Sequence, residues 1–348
     1  MQQHKAILVT EIGKPVSLGT RMTPKPSKDE VLVKVVSTML LPHDAYGRDW
    51  GLLIGEKLPA AIGTNVGGIV EEVGSAVTEF SKGDEVFGLA NELSEGNDQA
   101  GLQGYATLTA TSITKKPASI SLDEAVTLPV NLVTSFVALF TTEFGFGFPA
   151  PWVGDKENFD ASKQTIVIIG GGAVVAKFGI QLAKLAGIGR IITIAGLNGK
   201  EELERMGATH VIDRQSSNEE ITKQIHAITG QEGVTHLYDC RSLSFELAAS
   251  LLPAQASSRL IALHPIEQAQ AELLVEKSPN CSATFVENIH LGDDEKMFWQ
   301  QVPKWLAEGS ILPSKYRVVD GLDHVDEINA ALDAYMLGAG GPQLIVRP

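Results

Sequence analysis

Thr165 to Gly187 reads TIVIIGGGAVVAKFGIQLAKLAG, a short apolar strand, three consecutive glycines and an apolar-faced helix. Thr165-Ile169 is a β-branched run without charge, the pattern of a parallel strand covered on both faces. Gly170, Gly171 and Gly172 let the backbone turn tightly and come close to a ligand. A helix starting near Ala173 turns the N–H groups of Ala173, Val174 and Val175, and its positive dipole end, toward any bound pyrophosphate. A plain strand-to-helix turn is the alternative; the placement between a buried strand and a helix favours a dinucleotide site.

Strands and helices alternate outward from this stretch: Arg190-Ala195, Lys200-Met206, His210-Ile212, Asn218-Thr229, Val234-Cys240, Ser244-Leu252 and Arg259-Leu263. That alternation predicts an α/β, doubly wound parallel sheet with ligands at the carboxyl ends of its strands. Upstream, residues 1 to about 125 alternate short β-like runs (Ala6-Thr10, Glu30-Ser37, Gly67-Val73, Tyr105-Leu108) with glycine and proline turns, a mostly β, barrel-like module. A polar start at Ser121-Leu122-Asp123-Glu124 opens an apolar helical pattern that continues through Asn131-Phe144. Beyond residue 280 the chain reads as a strand (Ala283-Leu291), two helices (Glu295-Glu308, Val325-Gly338) and a last strand, Gln343-Val346. Residues 145–163 are the most loop-like segment.

At 348 residues, 44% of them hydrophobic, the chain calls for two cores. A net charge of −14 argues against nucleic acid and against an anionic membrane surface as partners. Cys240 and Cys281 alone give neither a disulfide framework nor a cysteine zinc site, which fits a reducing, cytoplasmic compartment. The N-terminus has no continuous apolar core of a signal peptide, and no segment reads as the roughly 18 apolar residues of a membrane span.

Taken together, these segments resemble the zinc-free branch of the medium-chain dehydrogenase/reductase superfamily, which includes quinone and enoyl reductases. Gly63-Gly74 (GTNVGGIVEEVG) with Phe80-Gly88 (FSKGDEVFG) is similar to the family's glycine-rich barrel signature. Ala125-Pro129 with Thr134 resembles its link into the cofactor domain, and Ile180-Lys184 and Gly207-Asp213 its nucleotide-domain elements. Leu41-Pro42-His43-Asp44, Arg48-Gly51 and Gly147-Trp152 are most similar to fungal enoyl-reductase-like members. The resemblance implies a GroES-like β-barrel catalytic domain (1–128 and 276–348) and a Rossmann nucleotide-binding domain (129–275).

The chain departs from the family's pattern at three places. Zinc alcohol dehydrogenases carry a cysteine and Gly-His-Glu where this chain has Leu41 and Gly63-Thr64-Asn65, so the ligands of a catalytic zinc are missing, and Asn91 to Gly101 holds no cysteine for a structural one. Leu41 also replaces an asparagine common in enoyl-reductase-like relatives, and Ala176 replaces the last glycine of the phosphate loop. Without zinc, alcohol oxidation is disfavoured and reduction of a carbon-carbon double bond conjugated to a carbonyl is favoured.

An NAD site places a carboxylate at the end of the second strand, whereas this chain reads Ile194-Ala195-Gly196-Leu197-Asn198-Gly199, followed by Lys200, with Arg214 after the third strand. That pattern favours NADP(H), the alternative being that Lys200 opens a solvated helix and Arg214 pairs with Asp213. The expected reaction is hydride transfer to an α,β-unsaturated carbonyl, with Tyr46 or His43 donating to the enolate oxygen or α-carbon, against structural roles for both and against water as the proton source. By resemblance, Thr134 lies near the nicotinamide, and the segments at His264 and Ile289-His290 frame its carboxamide. Trp50, Trp152, Phe144, Phe146 and Phe148 line a channel for a small hydrophobic, enone-type substrate such as a polyketide-like one, or are plain core. The oligomer is a monomer or a homodimer. The competing functional reading is a binding module or a non-redox enzyme that keeps the nucleotide site, with a zinc alcohol dehydrogenase third.

Overall fold

The computed structural model describes residues 2–54, 57–91, 94, 97–153, 159–230, 233–287, 289, 291–338 and 342–348. The chain divides into two units, Met1–Val130 with Gly292–Pro348, and Asn131–Leu291. The first unit opens with β1 (Gln3–Val9), β2 (Ser17–Met22), β3 (Glu30–Met39) and α1 (Pro42–Trp50). Next come β4 (Ala60–Ala61), β5 (Asn65–Val73), β6 (Glu85–Leu89), β7 (Tyr105–Thr109), β8 (Ile113–Lys115) and α2 (Leu122–Ala125). The glycine-rich signature has a packing reason: a Cβ on Gly68 would stand 2.2 Å from Lys34 O across the β3–β5 pair. Ser121 caps α2 reciprocally, its hydroxyl accepting the Glu124 N–H and its N–H donating to the Glu124 carboxylate.

α3 (Pro129–Phe140) carries the chain into the second unit. There follow β9 (Thr165–Ile169), α4 (Val174–Leu185), β10 (Arg190–Ala195), α5 (Lys200–Met206), β11 (His210–Asp213) and α6 (Asn218–Thr229). The unit ends with β12 (His236–Asp239), α7 (Glu246–Leu251), β13 (Ser258–Ala262), α8 (Gln268–Lys277) and β14 (Cys281–Phe285). All pairings are parallel and the order is β11-β10-β9-β12-β13-β14, which within this unit is the 3-2-1-4-5-6 order of doubly wound dinucleotide folds. Every residue of β9 is buried, as an uncharged central strand requires. The order reverses between β9 and β12, the kind of switch point at whose strand carboxyl ends doubly wound folds bind their ligands.

Back in the first unit, α9 (Glu295–Ala307), β15 (Tyr316–Asp320), α10 (Val325–Met336) and β16 (Gln343–Arg347) complete the chain. β16 pairs antiparallel with β3 and joins β15 to a seven-stranded sheet ordered β15-β16-β3-β5-β6-β8, with β7 on β3. This mixed α/β architecture, one GroES-like sheet unit and one Rossmann-type unit with a parallel sheet, is the expected fold class.

The mostly β stretch 1–125 includes α1, which Pro42 at the first helical position, Asp44 accepting the Leu41 N–H at 2.6 Å and Gly51 at φ 74° start and stop. The strand expected over Ala283-Leu291 ends at Phe285, since its partner β13 ends at Ala262, and Ile289 follows outside any strand. That β14 is a member of the parallel sheet carries the second unit past residue 275, to Leu291. The apolar run Leu122–Phe140 passes for a membrane span by length and composition, although most of it is buried inside the protein as α2 and α3.

Candidate functional site

The glycines after β9 have separate roles. Gly170 takes φ 82°, and a Cβ on it would meet Arg241 Cβ at 2.7 Å. A Cβ on Gly171 would stand 1.9 Å from Thr193 Oγ1. Gly172 is exposed and a Cβ there would touch nothing within 4 Å, so the fold does not demand a glycine at this position. Ala173 is the N-cap of α4 and no side chain caps the helix. The first backbone bond inside the helix runs from the Lys177 N–H to Ala173 O at 3.0 Å. The N–H groups of Val174, Val175 and Ala176, which have no intrahelical acceptor, therefore stand at the positive end of a 12-residue helix. The Gly170 and Gly171 N–H groups donate to Ile194 O, and that of Ala173, expected to face an anion, donates to Gly170 O at 2.9 Å, so the helix donors this turn leaves to a phosphate are those of Val174, Val175 and Ala176.

Ala176, in the place of the family's glycine, is fully buried on α4. The close approach of helix to sheet occurs three residues on, at Gly179, where a Cβ would lie 3.1 Å from the Tyr238 ring. The buried Ser135 hydroxyl donates to Val175 O at 2.7 Å and lies 3.4 Å from Tyr238 Oη, so α3 holds the first turn of α4 through a residue that the sequence reading passed over. Its signal was a hydroxyl inside an otherwise apolar helical pattern. Thr134 precedes it on α3, partly exposed.

At the end of β10, Gly196 begins a 3-10 turn, Leu197–Gly199, that leads into Lys200 and α5. Arg214 Nε lies 3.6 Å from where a Gly196 Cβ would be, and the Arg214 N–H donates to Ala195 O at 3.0 Å. The Asp213 carboxylate accepts the Gln215 N–H, and among the described residues Arg214 has no ion pair. Lys200 Nζ is 3.8 Å from Glu204 Oε1. The turn thus brings Gly196 and Arg214 together, with Lys200 opening the next helix, and carries no carboxylate of its own.

Asp239 ends β12, 1% exposed; its Oδ1 accepts the N–H groups of Arg241 and Ser242 at 3.0 and 2.8 Å and so shapes the turn that faces Gly170. Burial pushes the Cys240 thiol well above its ordinary range, which makes it a packing group and not a nucleophile. His264, two residues past β13, is partly buried; desolvation lowers its pKa, the Asp239 charge opposes that shift and Arg241 reinforces it. Ile289 is partly buried, and His290 lies outside the described residues.

In the first unit, His43 Nε2 lies 2.5 Å from Thr64 Oγ1. Desolvation lowers the His43 pKa from 6.5 to about 4, so the imidazole is neutral at neutral pH. Tyr46, one turn along α1, stacks on Trp50 with centroids 4.7 Å apart, and Trp50 is 67% exposed. Arg48 is structural: buried, it pairs with Asp49 at 2.7 Å and with Asp333 of α10 at 2.8 Å. Leu41 is buried, Thr64 is engaged by His43, and Asn65 donates to Val126 O while accepting the Val130 N–H. Among the described residues no three of histidine, cysteine, aspartate or glutamate gather as a metal site.

Phe146 and Phe148 are core, buried against His236, and the half-buried Trp152 stacks on Phe136 at 5.2 Å. Phe144 is partly exposed.

Residues 27–133 match the model of the alcohol dehydrogenase GroES-like domain and residues 174–295 that of the zinc-binding dehydrogenase domain. A trans-enoyl reductase of Aspergillus terreus is 28% identical, the match spanning 68% of this chain and 77% of that protein. The chloroplastic NADPH-dependent alkenal/one oxidoreductase of Arabidopsis thaliana is 31% identical across 57% of this chain and 48% of its own length. A mycobacterial protein solved in complex with NADPH has the same fold, with a TM-score of 0.74 at 20% identity over 99% of this chain and all of that one. The two family models fall in turn on the two units, and together with these likenesses they establish that the chain belongs to the medium-chain dehydrogenase/reductase superfamily.

Proposed function

We propose that the protein is an NADPH-dependent reductase that saturates the carbon-carbon double bond of a small, hydrophobic α,β-unsaturated carbonyl without a metal, in the cytoplasm, as a monomer or a homodimer. One observation carries the cofactor assignment: a glycine whose missing side chain the fold does not require, Gly172, opens an uncapped helix, and the neighbouring strand ends in a carboxylate-free turn with Arg214 against Gly196. Gly170, Gly171, Gly172, Ala173, Val174 and Val175 would hold the pyrophosphate, and Gly196, Lys200 and Arg214 the 2′-phosphate. Thr134, His264 and Ile289 would border the nicotinamide. When bound, the cofactor supplies the hydride. The alkenal and enoyl reductase activities named for the relatives support a double bond as its acceptor.

His43 is neutral and therefore acts as a hydrogen-bond donor, not as an imidazolium acid. The bond to Thr64 leaves one donor over: Nδ1–H when Thr64 donates to Nε2, or the Thr64 hydroxyl when Nε2 donates to it. Such a donor stabilises a developing enolate oxygen. Tyr46, on the same helix face, offers a second O–H for the α-carbon.

The test is titration with NADPH and NADH by fluorescence, followed by NADPH absorbance with a panel of enones, alkenals and quinones. NADPH binding tighter than NADH, with absorbance lost only when an unsaturated carbonyl is added, is expected. Tight binding without turnover on the whole panel would leave a nucleotide-binding module, and no binding would remove the cofactor assignment.

A further inference from the structure

Lys177 and Glu202 form an ion pair of 3.1 Å between the first turns of α4 and α5, and their side chains are only 17% and 19% exposed. On the NADPH reading, the pair joins the two ends of the nucleotide site. Lys177 is the residue whose N–H closes the first turn of α4, directly behind the N–H groups of Val174 to Ala176. Glu202 follows Lys200 by two residues on α5, just past the turn that carries Gly196 and Arg214. In doubly wound dinucleotide folds the ADP half lies between two such places, from pyrophosphate to ribose.

We propose that Lys177 is a specificity-determining residue for the 2′-phosphate and that Glu202 is its counter-ion in the ligand-free protein. The assignment rests on the NADPH reading above. A 2′-phosphate is largely dianionic at neutral pH and a stronger partner for an ammonium than a single carboxylate. On binding, Lys177 Nζ turns from Glu202 to the phosphate, and the Glu202 charge, left close to it, opposes the same phosphate. The two residues therefore act on 2′-phosphate affinity with opposite signs, whereas a mere tie between α4 and α5 would act with one. Among the other cations of the turn, Lys200 is held only loosely by Glu204 and Arg214 has no ion pair among the described residues, so both are available to complete the site.

The experiment is calorimetric titration of the full chain, wild type, Lys177→Met and Glu202→Gln, with 2′,5′-ADP and with 5′-ADP, beside thermal melts of each. Wild type is expected to prefer 2′,5′-ADP. Lys177→Met should lower that preference about tenfold, and Glu202→Gln should raise it by about threefold, although both variants lose the same ion pair. If both variants melt lower and keep the wild-type preference, or both lose it together, the pair is a structural tie and the proposal falls while the NADPH reading stands. If the wild type itself does not distinguish the two ligands, the NADPH reading falls and the assignment with it.

Discussion

Gly171 and Thr193 are pressed together where β9 gives way to the glycine turn: a Cβ at 171 would lie 1.9 Å from Thr193 Oγ1, itself bonded to Ile168 O at 3.0 Å. Gly171→Ala must push β10 away or break that bond, and should cost about 1–3 kcal/mol of stability. Gly172→Ala meets no neighbouring atom and should leave stability within about 0.5 kcal/mol while weakening NADPH binding. Thermal melts of both variants beside NADPH titration separate the two effects. Equal destabilisation by both would mean that Gly172 too is a packing glycine.

The His43 pKa sets a pH window. Its folded value is about 4 against 6.5 when solvated, so between those values the unfolded chain binds more protons than the native one. Stability from this group is complete above about pH 6.5 and is lost as the pH falls toward 4, by at most about 3 kcal/mol. His4, His236 and His264 are shifted in the same direction by burial and add to the slope. Chemical denaturation at pH 7 and pH 4.5 should show His43→Gln losing less stability on acidification than wild type. Identical losses would place the acid sensitivity on groups other than His43.

How much of this was legible in the sequence depended on how local the signal is. β9 and α4 declare themselves in one continuous run because a buried strand, a turn and a helix face each have their own residue pattern. The carboxylate-free turn at Gly196 was equally local. The pairing of His43 with Thr64 was not, since the two lie 21 residues apart and meet only through the fold of the first unit. Ala176 read as a weakened phosphate loop, yet the tight helix-to-sheet contact falls on Gly179, which only the position of Tyr238 reveals. The end of β14 was hidden for the same reason, because a β-branched run stops pairing where its neighbour stops.

The C-terminal strand is pinned by charge. Arg347 donates to the buried Asp123 carboxylate, which also accepts the Ser37 hydroxyl at 2.8 Å, and it reaches Asp320 at 3.0 Å. Arg347→Met leaves Asp123 buried with only the serine, and should destabilise the protein by about 2 kcal/mol, below the full cost of a deeply buried pair because the arginine is partly exposed. Adding Asp123→Asn to it should recover part of the loss, measurable as the midpoint in urea. A double variant no more stable than the single one would show that the ion pair is not what holds β16.

A single carboxylate at the β10 turn should move the cofactor preference. Gly196 has φ −70°, which any residue adopts, and a Cβ there would meet only Asn198 Oδ1 at 2.8 Å, the end of an exposed side chain that can turn away, and Arg214 Nε at 3.6 Å. In Gly196→Asp the new carboxylate therefore lies beside Arg214, neutralises it, repels a 2′-phosphate and can accept a ribose 2′-hydroxyl. The ratio of kcat/KM for NADPH over NADH should fall about 10- to 100-fold, partly through better use of NADH. Arg214→Ala should lower the NADPH value alone, since it removes an attraction without adding an acceptor. The two variants thus divide the preference into repulsion and attraction, and a ratio unchanged in both would place the 2′-phosphate away from this turn.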